Sequence, residues 1–321
     1  TSFVSEDGNG TRQIGTLSSS AVKYHRALTN LFPAASEAPY KILGKVNMKL
    51  VKAPASGGGI DFSLADASSN TAARMVSLVT STAAPTTNTV GLSLMKDESA
   101  GALTKVKTDI ALGQWVNAMF VINVTGTDGT NTVKYYVDGV EYSTTIDKTK
   151  IAARPPVMKF QTGTNTVAAI DNIGLYSVKN GVLDFTAELA GDTSEVATSA
   201  DLKLNFSNEI FKGHFNNIIT ITKAGDTPVT VPLSRINASI DNLSLTLTDN
   251  SFDPGSDYTI SVAGAKDVFG SAISGVTEFS FHTAGQAVEP PFTVKKFNNN
   301  STANIPTTAE PVLEFSKAFD A

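Results

Sequence analysis

The 321-residue chain has no cysteine, which excludes disulfide staples and thiolate metal sites. It holds one tryptophan and three histidines, too few to suggest a histidine-rich metal centre or a platform of stacked aromatics. Charged residues make up only 17%, against roughly 25% in ordinary soluble domains. No apolar run approaches the roughly 18 residues that a helical membrane span needs. The net charge of −5 and the absence of any Lys/Arg cluster argue against nucleic acid as a partner. No leader-like stretch follows Thr1, and the sequence is expected to be a piece of a longer polypeptide.

Ser, Thr, Asn and Gly fill the space left by charge, a mixture suited to many short strands joined by polar turns. The length predicts two domains and a fragment of a third. Period-two and short apolar stretches recur at YKILGKVNMKLV, GGIDFSLAD, ARMVSLVTS, TVGLSLMKD, WVNAMFVINVT, TVKYYVDGVEYS, VMKFQTG and AIDNIGLYSV. In WVNAMFVINV, Val116, Ala118, Phe120, Ile122 and Val124 point one way and are predicted core. Trp115, Asn117, Met119, Val121 and Asn123 point the other way and could line a groove or an open sheet face. Asp138-Gly139 sits between alternating apolar residues, which predicts a two-residue hairpin with positive φ at both positions.

GQWVNAMFVINV, KYYVDGVEYS and a closing IDNIGLY together resemble the second half of a laminin-G or concanavalin-A-like jelly roll. The resemblance implies such a sandwich over residues 1–178, of the kind attached to bacterial polysaccharide-degrading enzymes and surface proteins. It also implies a structural calcium ion between the N-terminal segment and the last strand, for which Asp7, Asn9 and Asp171 supply hard oxygens. Ordinary Asx turns are the competing account of those three residues.

From Gly181 the texture changes to about seven short strands with turn signals every 8–12 residues, as in an immunoglobulin-like sandwich. LKLNFSNEI, followed by FDPGSDYTISVAG and a D-x-x-G loop, resembles the bacterial Ig-like domain repeated in S-layer and other cell-surface proteins. That places an Ig-like domain at 181–285. TSADLKLNFS (from Thr198) and TTAEPVLEFS (from Thr307) share five of ten positions at an offset of 109 residues, with a Pro-containing linker, QAVEPP, between the two units. Residues 286–321 are therefore read as a linker and the opening strands of a second Ig-like unit. The fold class expected is all-β: a jelly-roll sandwich followed by Ig-like sandwiches.

Catalytic patterns are missing. The alternating E-x-D-x-x-E strand of jelly-roll glycoside hydrolases is absent, and Asp97-Glu98 are adjacent, so their side chains diverge along a strand. His25, His214 and His282 form no H-x-x-x-H pair and read as surface or strand residues. There is no G-x-S-x-G, and Gly57-Gly58-Gly59 follows no βα pattern, so it reads as a flexible turn. Tyr24, Arg26, Arg74, Trp115, Asn117 and Tyr136 are the candidate ligand-binding residues, combining aromatic faces with planar polar groups suited to sugars. Tyr136 is included because Val133, Tyr135 and Val137 should face the core, which leaves Lys134 and Tyr136 outside. The expectation is a non-catalytic, secreted bacterial surface fragment. The jelly roll would recognise a polysaccharide or other glycan, and the Ig-like units would act as spacers. A purely structural S-layer or stalk component, or accessory modules of a larger polysaccharide-degrading enzyme, are the alternatives. Convergence of Tyr24, Arg26 and Asn117 on an open groove would favour glycan binding; a filled apolar sheet face would favour packing.

Overall fold

Alternation decides the first sandwich. The computed structural model describes residues 12–15, 23–27, 39–54, 58–65, 72–80, 89–95, 103–125, 130–147, 157–179, 184–285, 294–297 and 313–315. Among the described residues twelve strands precede residue 180: β1 Arg12–Gly15, β2 Lys23–Ala27, β3 Tyr40–Lys52, β4 Gly59–Ala65, β5 Ala72–Thr80 and β6 Thr89–Met95, then β7 Leu103–Ala111, β8 Val116–Val124, β9 Thr130–Val137, β10 Val140–Asp147, β11 Val157–Thr162 and β12 Val167–Lys179. They form two six-stranded sheets, ordered β1-β12-β3-β8-β9-β10 and β2-β11-β4-β5-β6-β7, called here the front and back sheets. Every strand pair within them is antiparallel.

Between the sheets lies one apolar layer. The residues predicted for the core from β8, Val116, Ala118, Phe120, Ile122 and Val124, are all buried there. Phe62 of the back sheet stacks on Phe160 at 4.9 Å between ring centres and meets Phe120 of the front sheet at 5.7 Å. Val133, Tyr135 and Val137 also join this layer, as the alternation of β9 requires. The β9–β10 hairpin turns at Asp138 and Gly139, with φ of 46° and 84°. That left-handed pair is what a two-residue turn matched to the sheet twist demands. Gly58 and Gly59 are not a loose turn. Both are buried, Gly59 opens β4, and a Cβ at Gly58 would lie 2.5 Å from Pro54.

Residues 184–285 form the second sandwich. Its strands are β13 Ala187–Ala190, β14 Leu202–Phe206, β15 Thr220–Lys223, β16 Val229–Thr230, β17 Ile236–Ala238, β18 Ser244–Leu247, β19 Asp257–Ser261 and β20 Glu278–His282. Sheets β13-β14-β18-β17 and β16-β15-β19-β20 enclose a core around Phe185, Phe206, Phe215, Leu245 and Phe281. Beyond it, β21 Val294–Phe297 pairs with β22 Leu313–Phe315, Phe315 facing Val294. In the first unit Phe206 faces Ala187 in the same antiparallel sense. Phe315 lies 109 residues after Phe206, and each belongs to an antiparallel strand pair.

Substituting Gly139→Ala is expected to lower stability by about 1 kcal/mol, because a Cβ disfavours the left-handed conformation while meeting no steric obstacle. The midpoint of urea unfolding checks this.

Candidate functional site

One face of the front sheet is not open. Along β3, β8, β9 and β12, the side chains pointing away from the jelly-roll core include Leu43, Met119, Val121, Tyr136, Tyr176 and Val178. They pack against Phe211, Val268 and Phe269 at one end of the Ig-like sandwich. Tyr136 and Phe211 meet at 4.8 Å between ring centres, and Tyr176 and Phe269 at 6.1 Å. Phe211 follows the strip after β14, and Val268 and Phe269 sit inside the D-x-x-G loop of Asp267–Gly270. Asp267, wholly buried, fixes that loop. Its carboxylate accepts the Ser271 N–H at 2.7 Å and the Asn208 side-chain amide at 3.0 Å.

At the centre of this contact is Glu209, 6% exposed. One carboxylate oxygen accepts from the Lys45 ammonium at 2.8 Å and the other accepts from the Tyr176 hydroxyl. A buried carboxylate needs such partners, since losing hydration without replacement costs several kcal/mol. Lys45 also donates to the Asp241 carbonyl at 3.3 Å. Its stem lies across Gly174, where a Cβ would sit 2.9 Å from two of its carbons, so a side chain there would force the lysine stem to move. Around this centre Tyr136 donates to the Val268 carbonyl at 3.2 Å, and Lys41 to that of Phe269. Asn117 and Asn172 both donate to the Ile240 carbonyl, at 3.2 and 2.9 Å, and Asn242 donates to the Asn117 side-chain oxygen at 3.3 Å. Burial, then the Glu209 hydrogen bond, pushes the Tyr176 hydroxyl far above its ordinary pKa. Burial, with Glu141 and Asp267 nearby, does the same to Tyr136. At the rim, burial alone would raise the Glu141 carboxyl, but hydrogen bonds from Lys134 and His214 outweigh it and hold the group low. His214 reaches Glu141 at 3.1 Å through Nε2.

Beside the contact lies a cleft of about 680 Å³ between the two sandwiches. Its lining includes the nearly buried Met119, Tyr136 and Phe211 together with Asn117, Asn242, Ser234 and Lys212.

The six ligand candidates do not form one site. Asn117 and Tyr136 meet at the cleft, but Tyr136 is only 3% exposed. It does leave the jelly-roll core, as expected, and is then covered by the Ig-like sandwich. Asn117 has its amide engaged across the junction. Trp115 is half-buried at the end of the same face, with the Lys49 ammonium 4.6 Å from its ring centre. Arg74 lies on the back sheet and reaches Asp61 at 3.6 Å. Tyr24 and Arg26 belong to β2, also on the back sheet, paired in register with Phe160 and Met158. The convergence of Tyr24, Arg26 and Asn117 does not occur, because they sit on opposite sheets. Asp7 and Asn9 fall outside the described residues, as do Asp97 and Glu98. The Asp171 carboxylate accepts the Asn172 N–H at 2.7 Å, a local Asx bond, and among the described residues no three acidic or histidine side chains cluster as metal ligands. His282 is an exposed strand residue whose Nδ1 lies 2.7 Å from an Asp257 oxygen. Glu209, Phe211, Val268 and Phe269 are the residues that sequence reading passed over.

The architecture defines a modular all-β protein of two packed sandwiches. Residues 185–283 match the bacterial Ig-like domain family. No curated protein sequence matches the chain. Similar solved structures include an alginate lyase of Pseudomonas aeruginosa (16% identity, TM-score 0.31, 46% of this chain and 68% of that one). Lectin II from Ulex europaeus is another (14%, 0.34, 54% and 88%), as is family 7 alginate lyase A1-II′ with bound substrate (17%, 0.35, 56% and 84%). Similarity at this level transfers neither a substrate nor a residue role.

Glu209→Ala is expected to cost about 3 kcal/mol, since it leaves a half-buried ammonium and a half-buried hydroxyl without their partner, and to split one unfolding transition into two by calorimetry. The pH dependence follows from Tyr176. A folded-state pKa above the unfolded value of 10.0 means that the folded protein holds the proton more tightly. Stability is therefore complete below pH 10 and falls as pH rises beyond it. Urea midpoints between pH 8 and 11 should fall less steeply in Tyr176→Phe.

Proposed function

We propose that this chain is a glycan-recognising, non-catalytic piece of a bacterial cell-surface protein, with the jelly roll and the Ig-like unit acting as one rigid body. The junction cleft carries the reading. Its lining combines amide, hydroxyl, ammonium and carboxylate groups around the edges of Met119, Tyr136 and Phe211, a polar mixture that suits a polyhydroxylated ring. The match to the bacterial Ig-like domain family supports the surface location. The Ig-like unit is then a wall of the binding site and a buttress, and does more than hold the jelly roll at a distance.

A structural stalk or S-layer role is the second reading. It draws on the filled apolar face of the front sheet, where side chains that could have lined an open groove are used for packing. A binding measurement separates the two. In affinity gels with plant, host and cell-wall polysaccharides, the glycan reading expects retardation by at least one. It also expects Ser234→Trp, which adds bulk at an exposed cleft position, to reduce that retardation without changing Tm. A chain retarded by none of them is a structural component.

A further inference from the structure

Sheet edges expose backbone donors and acceptors, and natural sheets blunt them with bulges, lysines, proline or short length. Most described edges of this protein are blunted. Strand β7 carries Lys105 and Lys107 and slips register twice against β6. Strands β1, β2, β13, β16 and β17 run for five residues or fewer. The edge of β20 is partly covered, its His282 N–H donating to the Thr193 carbonyl at 2.7 Å and its His282 carbonyl accepting from Val196 at 2.9 Å. Strand β10 has none of these guards. It is the outer strand of the front sheet, eight residues in unbroken register with β9, and VEYSTTID contains no lysine, arginine or proline. The Asp138-Gly139 turn fixes which of its groups point outward. In a two-residue hairpin Val137 and Val140 bond each other, so bonding alternates along the ladder, and Glu141, Ser143 and Thr145 aim their N–H and C=O groups away from β9. All three residues are exposed, and none makes a backbone hydrogen bond to a described residue on that side.

We propose that β10 pairs antiparallel with β10 of a second copy of this chain, about a two-fold axis through Ser143, joining the two front sheets into one. A second copy fits because the edge is its own complement. In this register Ser143 faces Ser143, and Glu141 of each copy faces Thr145 of the other, so outward-pointing residues meet only outward-pointing residues. Each facing pair exchanges two hydrogen bonds. No like charges are opposed, and a carboxylate lies beside a hydroxyl donor. Sliding the pairing by two residues one way leaves Thr145 without a strand partner; sliding it the other way sets Glu141 against Asp147 of the second copy, which repels. A contact of this kind uses the same patch on both copies and closes at two. It also places two junction clefts on one side of the joined sheet, each bordered by Asp138 and Gly139 of the turn that opens β10. Two sites on one body favour a repetitive surface ligand through effective concentration. The pairing itself does not depend on what the cleft binds.

The test is sedimentation equilibrium of the intact chain from micromolar to millimolar concentration, combined with amide hydrogen exchange. A species of twice the 33.6 kDa chain mass should form as concentration rises, and exchange at the Ser143 and Thr145 amides should slow with it. Thr145 is exposed, so its replacement leaves the fold intact and reads the register directly. Thr145→Lys sets an ammonium opposite Glu141 twice per dimer and should lower the dissociation constant about tenfold. Thr145→Glu sets carboxylate against carboxylate at the same two places and should raise it by a similar factor. A chain that keeps the monomer mass throughout overturns the proposal. So does a dimer whose Ser143 and Thr145 amides exchange as fast as in the monomer, or one whose dissociation constant is not lower in Thr145→Lys than in Thr145→Glu.

Discussion

A single buried carboxylate joins the two halves of this protein. Glu209 comes from the Ig-like sandwich, and both groups that hold it, the Lys45 ammonium and the Tyr176 hydroxyl, come from the jelly roll. A carboxylate this deeply covered is tolerated only while both partners remain in place, so the contact favours one relative arrangement of the sandwiches. The apolar ring of Leu43, Met119, Val121, Phe211 and Phe269 supplies hydrophobic stabilisation but little directionality. Direction comes from the polar set. Lys41, Tyr136, Asn117 and Asn172 each donate to a backbone carbonyl of the Ig-like unit, which fixes its loops against the sheet.

The position of the cleft follows from this arrangement. Phe211 and Lys212 project from the segment that Glu209 anchors, and Ile240 and Asn242 from the β17–β18 turn that Asn117 and Asn172 anchor. A site formed between two modules holds its shape only as well as the modules hold each other. The repeat beginning at Thr307 has Ala318 at the position equivalent to Glu209, so this carboxylate clamp is not encoded a second time.

Much of the fold was legible in local pattern. The β8 alternation separated Val116, Ala118, Phe120, Ile122 and Val124 from Met119 and Val121 correctly, because a strand has a fixed period of two. The Asp138-Gly139 turn was legible for an equally local reason. Strand β7 was missed. Two register irregularities against β6 break its alternation, leaving Leu103, Val106 and Ile110 at spacings of three and four that resemble a helix more than a strand. Gly58 and Gly59 were misread because close packing against Pro54 and the Leu78 carbonyl leaves no trace in composition. The site was harder still. Alternation shows which way Tyr136 points, but not that Phe211, 75 positions along, covers it. Glu209 and the Val268-Phe269 pair lay in plain view, inside the F-S-x-x strip and the D-x-x-G loop that resembled the Ig-like family. Nothing in those motifs says that their side chains turn outward to a neighbour, because that depends on a surface built more than 30 residues away at the nearest contact.

Rigid docking of the two sandwiches is the central claim, and the absence of cysteine makes it directly measurable. Spin labels at Thr108→Cys on β7 and Glu278→Cys on β20, both exposed and away from the junction, report the distance between modules by double electron–electron resonance. The account predicts a single narrow distance distribution that broadens when Glu209 is replaced by alanine. A distribution already broad in the unsubstituted background, and unchanged by that replacement, would contradict it.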